Sequence, residues 1–289
     1  MTELTKDTKI LIVGLGVIGG GYAKALTYSG YRHVRCITKN AADIDYAMAH
    51  GMIEFGTHEI DEKLIADSEL IIFALYPTVF KEWVREHQSL FSPGTVITDV
   101  SGVKSGIVEE LQSILRDDVE FISAHPMAGR EKSGVEYSNA EVFRGANYIV
   151  VPTEENTENA INICKALGEA LGFAKISTLT VEEHDKMIAF LSQLTHCIAV
   201  TLMNSNSEPN LEKYTGDSFR DLTRIAKIND LMWSELFMLN KDALLHEMDS
   251  FIEKFKEFRN MLEDSDSESM RAEMRKASAK RELFDKPKM

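Results

Sequence analysis

The sequence predicts an α/β fold in which a doubly wound, mostly parallel sheet of the Rossmann type precedes an all-helical domain. Three observations support it: a glycine cluster directly after a short apolar run, further apolar runs alternating with amphipathic stretches, and helical periodicity after Pro152. Continuous apolar strands that alternate with helices are typical of a parallel sheet covered on both faces.

The elements of the first half are short apolar strands with helices between them. Strands are predicted at 9–13, 33–37, 70–74, 95–98, 120–123 and 148–151, and helices at 18–29, 78–90 and 105–115. The second half predicts a short strand at 174–177 and helices at 156–171, 180–204, 219–225 and 229–262. We expect a dinucleotide-binding domain at 1–152, a helical substrate and dimerisation domain at 153–262, and a charged tail at 263–289, either a solvated helix or partly disordered.

The predicted helix 180–204 opens with Thr180 and Glu183 at the spacing of a capping box. It carries apolar residues on several faces, which is more apolar surface than a lone surface helix has. We expect it to pack against a second copy of the chain, in a homodimer formed through the helical domain.

Composition excludes several classes of function. A net charge of −14 argues against nucleic-acid binding, because phosphate neutralisation needs clustered lysines and arginines.

The three cysteines, Cys36, Cys164 and Cys197, are widely spaced in apolar stretches, which predicts reduced core thiols and no disulfide or metal site. Segment 1–9 has no signal-peptide pattern, and no apolar run of roughly 18 residues predicts a membrane span. We expect a cytoplasmic protein with no nucleic-acid or membrane partner.

The glycine cluster Gly14-Leu15-Gly16-Val17-Ile18-Gly19 lies between a predicted strand and a predicted helix. In that context G-x-G-x-x-G binds the pyrophosphate of a dinucleotide at the N-terminus of the helix. A second cofactor contact is expected after strand 70–74, in the loop Leu75-Tyr76-Pro77.

The residues after the second strand bear on the choice between NADP and NAD. NAD-preferring enzymes usually place an acid there to bind the ribose 2′-hydroxyl. Here Thr38, Lys39 and Asn40 follow the strand, and the first acid is Asp43. A hydroxyl and a cation suit a 2′-phosphate, with charge added by Arg35, so we expect NADP. The alternative is NAD held through Asn40 or the backbone, with Lys39 only a solvated loop charge.

Four more segments follow in a definite order: 99–104 (DVSGVK), 125–129 (HPMAG), 192–196 (SQLTH) and 219–226 (FRDLTRIA), with Trp233 beyond them. Together with the glycine loop, this series resembles the prephenate and arogenate dehydrogenases over roughly residues 9–260. The resemblance implies an NAD(P)-dependent enzyme of tyrosine biosynthesis. Such an enzyme oxidises a ring hydroxyl by hydride transfer and releases the ring carboxylate as CO₂.

The resemblance also implies roles for individual residues. His125, at the carboxyl edge of the predicted sheet, is expected to accept the hydroxyl proton, a role that suits a neutral imidazole; the alternative is a capping or core histidine. Arg224 is expected to bind a substrate carboxylate in a bidentate fork. Its alternative is a structural ion pair with Asp221 or Asp217.

The resemblance implies roles for four further residues. His196 resembles a second substrate-contacting residue, with a satisfied core histidine as the alternative. Glu131 and Lys132 follow the His125 segment and resemble residues at the mouth of the site. Trp233 is expected to shield the pocket from water or to be an ordinary core residue.

The sequence departs from the family in the 99–104 segment. Where the family carries a serine whose hydroxyl supports the catalytic histidine, this chain has Gly102, and its serine is Ser101, one residue earlier. Ser101 is therefore a candidate catalytic residue if a local shift lets it serve, and otherwise water takes that place. Segment 216–218 (GDS) also has fewer glycines than is usual, so recognition of the substrate side chain there can differ.

Prephenate is the expected substrate, and arogenate is the nearest alternative. Another two-domain NAD(P)-dependent hydroxyacid dehydrogenase or imine reductase would carry a lysine or other base on the long helix, in place of the pair His125 and Arg224. A catalytically silent dinucleotide sensor would retain the glycine loop and lose that pair.

Overall fold

A computed structural model describes residues 3–129, 132 and 134–285. The strands are β1 Ile10–Val13, β2 Val34–Ile37, β3 Phe55–Thr57, β4 Leu70–Phe73, β5 Val96–Asp99, β6 Glu120–Phe121, β7 Ser123–Pro126, β8 Asn147–Val151 and β9 Lys175–Thr178. The helices are α1 Val17–Tyr28, α2 Ala41–Ala49, α3 Glu62–Ala66, α4 Pro77–His87, α5 Val108–Ile114, α6 Glu158–Ala170, α7 Val181–Ile188, α8 Thr195–Asn204, α9 Asp217–Thr223, α10 Asp230–Leu239, α11 Lys241–Glu263 and α12 Ser267–Glu282.

Strands β1–β6 form a parallel sheet in the order β3-β2-β1-β4-β5-β6. The strand order reverses between β1 and β4, and in open α/β sheets ligands bind at the carboxyl edge beside this point. Ile10 and Ile12 pack into the apolar cluster on one face, while Leu11 and Val13 pack into the cluster on the other. Because neighbouring strand residues point to opposite faces, the unbroken apolar run of β1 fits a sheet that is covered on both sides. The predicted Rossmann-type fold is confirmed.

The predicted strand at 120–123 is wrong in its extent. Glu120 and Phe121 pair with β5, and after Ile122 the chain leaves the six-stranded sheet. It continues as β7, which runs antiparallel to β8, and β8 pairs in parallel with β9. His125 therefore lies within β7, opposite Ile149, and not just past the end of a strand. A change of pairing partner in the middle of an apolar run leaves no mark on the hydrophobic pattern.

Strand β3 and helices α2 and α3 were not expected from the sequence, and they are short and partly exposed. The predicted helix 229–262 is broken at Asn240, which ends α10. The Asn240 side chain is buried and donates from Nδ2 to the backbone oxygen of Asp185 and to Oε1 of Gln193. This bonding to a neighbouring helix is a tertiary contact, so the periodicity of the chain does not reveal the break.

The predicted helix 180–204 is present from Val181 to Asn204, and the Thr180–Glu183 capping box is confirmed. Its middle, Ala189–Leu194, is a π-helix. By length and composition alone this run would also qualify as a membrane span, with mean hydropathy 1.4. The π-helical turn carries the buried Gln193, whose Nε2 donates to the backbone oxygen of Leu236 at 2.9 Å.

The three cysteines are free, and Cys36 and Cys164 are buried. Burial raises the pKa of the Cys36 thiol to about 12 and that of Cys164 to about 11. Both thiols are therefore protonated and unreactive at neutral pH, as core thiols are.

The chain divides into two compact units, the second of which begins at Asp242. The second unit consists of α12 and nearly all of α11. Exposed apolar side chains recur along α11 at Phe251, Ile252, Phe255, Phe258 and Leu262. Asp266 caps the charged helix α12 by accepting from the amide of Ser269. The boundaries expected at 152 and 262 stay predictions.

A buried ion pair joins the two sheets. Lys104 and Asp99 are both fully buried, and Lys104 Nζ lies 2.9 Å from Asp99 Oδ2. Lys104 Nζ also donates to the backbone oxygen of Ala124 at 2.7 Å. Asp99 Oδ1 accepts from the Ser123 hydroxyl at 2.6 Å and from the amide of Ala124 at 3.1 Å. These bonds fix the start of β7 against the end of β5.

Replacing Lys104 with methionine should lower the free energy of unfolding by about 3–5 kcal/mol, because Asp99 is then a buried charge without its counter-charge. Denaturant unfolding measures the change. The double variant Asp99→Asn/Lys104→Met should recover part of the loss. Arg144→Met removes the exposed partner of Glu141 and should change stability far less. Equal losses for Lys104→Met and Arg144→Met would contradict this account of the buried pair.

Candidate active site

The glycine loop has the geometry that a pyrophosphate-binding turn needs. Gly14 has φ +95°, and a Cβ there would overlap the carbonyl oxygen of Ala74, so only glycine fits. A Cβ on Gly19 would overlap the carbonyl oxygen of Gly14. Gly16, the N-cap of α1, faces open space, with no atom within 4 Å of a Cβ built there among the residues described. The loop therefore fits a dinucleotide whose phosphates approach the backbone at Gly16 and the N–H groups that open α1.

Thr38 and Lys39 follow β2 at the same edge of the sheet. The Thr38 hydroxyl accepts from the amide of Leu15 at 3.4 Å, and Lys39 is exposed. The Asn40 side chain accepts from the amide of Ala42 and so caps α2. Thr38 thus lies beside the glycine loop, and the carbonyl oxygen of Asn40 is already engaged.

The expected contribution of Arg35 to this site is wrong. Arg35 lies within β2, and its Nη1 donates to Asp67 Oδ2 at 2.8 Å. Asp67 ends α3 just before β4, so this pair lies at the amino edge of the sheet, opposite the edge that carries the glycine loop. The strand β2 is only four residues long, so the guanidinium of Arg35 could reach either edge of the sheet. The sequence did not show which edge it takes.

The loop Leu75-Tyr76-Pro77 leaves β4 at the carboxyl edge, as expected, and it adjoins the glycine loop. A Cβ on Gly14 would contact Leu75 as well as Ala74. Tyr76 is the N-cap residue of α4, and Pro77 occupies the first helical position. The two loops thus border the same part of the sheet edge.

His125 belongs to a chain of three hydrogen-bonded side chains. His125 Nδ1 lies 2.8 Å from Nε2 of His184, and His184 Nδ1 lies 2.7 Å from Oδ1 of Asp185. Asp185 also accepts from the backbone amides of Lys104 at 2.9 Å and Ser105 at 2.6 Å. The carboxylate therefore holds both a histidine and the loop that follows β5.

The protonation of this chain follows from its donors and acceptors. An ionised Asp185 only accepts, so His184 Nδ1 must carry hydrogen and donate to it. A neutral His184 then has an acceptor at Nε2, so His125 Nδ1 donates to it. This leaves a lone pair on His125 Nε2, which is the atom a general base needs.

The pKa values support neutral histidines and an ionised aspartate. Burial lowers the pKa of His125 well below its ordinary value, and the electrostatic interactions with His184 and with the charged Lys104 lower it further. Burial also lowers the pKa of His184, against the hydrogen bond to Asp185, which raises it. For Asp185, burial raises the pKa, but hydrogen bonds from His184 and Ser105 outweigh it, and the pKa of the carboxyl group is lowered.

Gly102 faces the free nitrogen of His125. A Cβ built on Gly102 would lie 3.8 Å from His125 Nε2 and 3.7 Å from Leu236 Cδ1, both ordinary contact distances. Ser101 is buried, and its amide donates to Asp99 Oδ2 at 2.9 Å. Its hydroxyl has no hydrogen-bond partner in the described part of the chain. Position 102 therefore faces the imidazole, and a side chain there would contact it.

The helical residues expected to bind substrate form a second group. The rings of His196 and Trp233 are in contact, with their centroids 3.8 Å apart and their planes tilted by 30°, and His196 Nδ1 lies 2.8 Å from the backbone oxygen of Ser192. Arg224 begins a 3₁₀ turn that packs beside α8, and it is exposed. Leu236, which contacts position 102, lies one turn after Trp233 on α10. Helix α10 therefore carries both Trp233, which contacts His196, and Leu236, which contacts the position in front of His125.

The segment after β7 holds the last two expected site residues. Glu131 lies outside the described residues. Lys132 is exposed, and its Nζ lies 4.6 Å from the centre of the Tyr137 ring, a cation–π contact. Across residues 3–129, 132 and 134–285, no cluster of three or more His, Cys, Asp and Glu side chains is placed to hold a metal ion.

His184 and Asp185 were not expected from the sequence. They are the fourth and fifth residues of α7, and His184 lies 59 residues along the chain from His125. The adjacent pair His-Asp between Glu183 and Lys186 looks like part of a solvated helix face. Only its burial distinguishes it, and burial is a tertiary property.

A parallel sheet in this strand order, with a glycine turn that opens onto α1, defines the dinucleotide-binding class of dehydrogenases. Comparison with known proteins narrows the class. Residues 22–177 match the model of "Prephenate dehydrogenase, nucleotide-binding domain", and residues 180–276 match that of "Prephenate dehydrogenase, dimerization domain". The chain belongs to the prephenate dehydrogenase family, and it is an oxidoreductase.

Individual relatives cover nearly the whole chain. Prephenate dehydrogenase of Bacillus subtilis (strain 168) is 29% identical over 282 residues, which are 92% of this chain and 72% of the relative. Cyclohexadienyl dehydrogenase of Zymomonas mobilis subsp. mobilis is 26% identical over 272 residues, which are 92% of this chain and 92% of the relative. The crystal structure of prephenate dehydrogenase from A. aeolicus in complex with hydroxyphenyl propionate and NAD⁺ has a TM-score of 0.90 and 29% identity, with 98% of this chain and 99% of that chain covered.

Two glycine variants should separate cofactor binding from folding. Gly16→Ala should leave the thermal midpoint unchanged and raise the Kd for the nicotinamide nucleotide roughly tenfold, because the methyl group occupies the space the phosphates approach. Gly19→Ala should instead lower the free energy of unfolding by about 1–3 kcal/mol, since its Cβ overlaps Gly14. Calorimetric titration and thermal unfolding measure the two effects. Unchanged cofactor affinity in Gly16→Ala would show that the phosphates bind elsewhere.

Proposed function

We propose that this chain catalyses the oxidative decarboxylation of prephenate to 4-hydroxyphenylpyruvate with a nicotinamide nucleotide, as a step in tyrosine biosynthesis. The observation that carries the proposal is the chain Asp185–His184–His125, which leaves a lone pair on His125 Nε2, the atom that faces the position of Gly102. The B. subtilis and A. aeolicus relatives that bear this enzyme's name support it.

His125 moves the proton of the reaction. Its Nε2 accepts the proton of the ring hydroxyl as the ring carbon is oxidised, and it returns that proton to the same oxygen when loss of CO₂ makes the ring aromatic. When bound, the nicotinamide nucleotide supplies the site that accepts the hydride. His184 and Asp185 keep the imidazole in the required tautomer and stabilise the positive charge that develops on it. Aromatisation drives the decarboxylation, so no further acid or base is needed.

The substrate carboxylates are held from the helical side. We propose Arg224 as the principal anchor, because a guanidinium binds a carboxylate through two parallel hydrogen bonds. We propose that His196 and Trp233 form the adjoining wall, with Lys132 at the mouth of the site. The contact of Leu236 with position 102 supports this arrangement, because it brings α10 to the space that His125 faces.

The cofactor is proposed to be NADP, with NAD as the alternative. Thr38 and Lys39 supply a hydroxyl and a cation at the end of β2, and the carbonyl of Asn40 is engaged in capping α2. Gly14, Gly16 and Gly19, with Leu15, Val17 and Ile18, would hold the pyrophosphate, and Leu75, Tyr76 and Pro77 would border the nicotinamide side. Ser101 is proposed to support His125 if the loop that it shares with Gly102 shifts locally.

The assembly is proposed to be a cytoplasmic homodimer. The match of residues 180–276 to a dimerization domain supports it. In the first unit, exposed apolar side chains lie on the helical elements, at Phe190, Leu191, Leu222, Leu231 and Met238. A second copy of the chain would cover such surfaces, which monomers rarely expose together.

The proposed reaction is tested by crossing prephenate and arogenate with NADP⁺ and NAD⁺ and following the absorbance of the reduced nicotinamide. Prephenate with NADP⁺ should give the highest kcat/KM. Thr38→Asp/Lys39→Ala should shift the preference towards NAD⁺, because a carboxylate repels the 2′-phosphate and binds the 2′-hydroxyl. Preference of the native enzyme for NAD⁺ would refute the cofactor proposal, and turnover of arogenate alone would refute the substrate.

Replacing Asp185 with asparagine should lower kcat by about 100-fold or more, with a smaller effect on KM. The amide can donate to His184, which reverses the hydrogen bonds along the chain and leaves His125 Nε2 protonated. Steady-state kinetics with prephenate measures the effect. Glu182→Gln makes the same chemical change at an exposed position of α7 and should leave kcat unchanged. An Asp185→Asn enzyme that folds and turns over normally would exclude the base assignment through this chain.

A further inference from the structure

The N-terminus of α4 is capped by a side chain from α10. The amide and the hydroxyl of Thr78 both donate to Glu235 Oε1, each at 2.5 Å. Tyr76, the N-cap residue, makes no side-chain capping bond, and Pro77 has no N–H, so the amide of Thr78 is the first donor of the helix. A carboxylate at this end also interacts favourably with the helix dipole. Glu235 thus supplies a cap that α4 lacks in its own sequence.

A second contact joins the same two elements. Asn229 Nδ2 donates to the hydroxyl of Tyr76 at 3.1 Å, while Asn229 Oδ1 accepts from the amide of Met232 and caps α10. The loop between β4 and α4 is therefore attached to α10 at two points, one at the helix N-terminus and one nearly two turns further on. We call this pair of contacts, Glu235–Thr78 and Asn229–Tyr76, the α10 latch.

Other side chains of α10 reach the substrate side of the site. The ring of Trp233 contacts that of His196, with centroids 3.8 Å apart, and Leu236 contacts the position of Gly102 in front of His125. The backbone oxygen of Leu236 also accepts from Gln193 Nε2 in the π-helical turn. A single helix of ten residues therefore contacts the loop assigned to the cofactor and the residues assigned to the substrate.

We propose that Glu235 is a positioning residue that couples cofactor binding to substrate binding. Because its carboxylate holds the start of α4, the conformation of the loop Leu75-Tyr76-Pro77 depends on the position of α10. A ligand that fixes Trp233 and His196 fixes α10, and the latch then holds the cofactor loop in its bound conformation. The coupling is reciprocal, as any coupling of two equilibria is. The inference rests on the proposed function, which assigns these two groups of residues to the two ligands.

The test measures binding without turnover. The Kd of NADP⁺ is determined by calorimetric titration, with and without saturating 4-hydroxyphenylpyruvate, the proposed product, which forms a dead-end complex with the oxidised nucleotide. In the native protein the product should tighten NADP⁺ binding by about tenfold. In Glu235→Ala the ratio of the two Kd values should approach one, and in Glu235→Gln, which keeps a hydrogen-bond acceptor, it should be intermediate.

The matched control is Ser234→Ala. Ser234 is the neighbour of Glu235 on α10, and its hydroxyl bonds within the helix, to the backbone oxygen of Leu231. It should keep the native ratio. Thr78→Val removes the hydroxyl and keeps the backbone amide, so its effect should not add to that of Glu235→Gln if both act through one contact.

The outcomes are distinct. A native ratio near one, or a native ratio retained in Glu235→Ala, overturns the coupling while leaving the proposed function intact. If Glu235→Ala does not fold, Glu235→Gln decides, since a folded variant with an undiminished ratio also overturns it. A native protein that binds neither NADP⁺ nor 4-hydroxyphenylpyruvate contradicts the proposed function itself. A lower thermal midpoint with an unchanged ratio shows that the cap serves stability alone.

Discussion

The carboxylate of Asp99 is the point on which the geometry of the site depends. It receives Lys104 Nζ, the hydroxyl of Ser123 and the amides of Ser101 and Ala124, all without contact with water. A charge buried this completely is tolerated only when its lone pairs are filled and a counter-charge is adjacent. The end of β5, the loop after it and the start of β7 must therefore assemble together. His125 follows Ala124 directly, so its position is a consequence of this buried pair.

A second buried carboxylate, that of Asp185, also organises the loop after β5. Asp185 accepts the amides of Lys104 and Ser105 and the Nδ1 hydrogen of His184. Asp99 thus holds the loop after β5 through the Lys104 side chain and the Ser101 amide. Asp185 holds the same loop through the backbone amides of Lys104 and Ser105. Between the two carboxylates, His125 is fixed in place and tautomer, and its free nitrogen faces the space at Gly102.

The extent of agreement between sequence and structure differs from element to element. The strands β1, β2, β4 and β5 were predicted within a residue or two, because each is an apolar run bounded by polar or glycine residues. The split of the 120–126 segment between two sheets was missed, because pairing partners are not encoded in local hydrophobicity. Arg35 was misassigned because a long side chain in a strand of four residues can reach either edge of the sheet, and the sequence does not show which edge it takes. His184 was overlooked because a polar residue on a helix reads as exposed until its neighbours are known.

The sequence by itself determined the class of fold and the glycine turn, since these depend on local spacing and on residue chemistry, while the role of His125 came from the resemblance to a family. Gly14, Gly16 and Gly19 can be assigned their roles from order alone, because the turn is made by consecutive residues. Only the tertiary structure decided which groups surround His125, which way its proton lies and how α10 attaches to the loop after β4. Those properties arise from side chains that are 59 or 157 residues apart, and burial, which decides their charge and hydrogen bonding, exists only once the chain has folded.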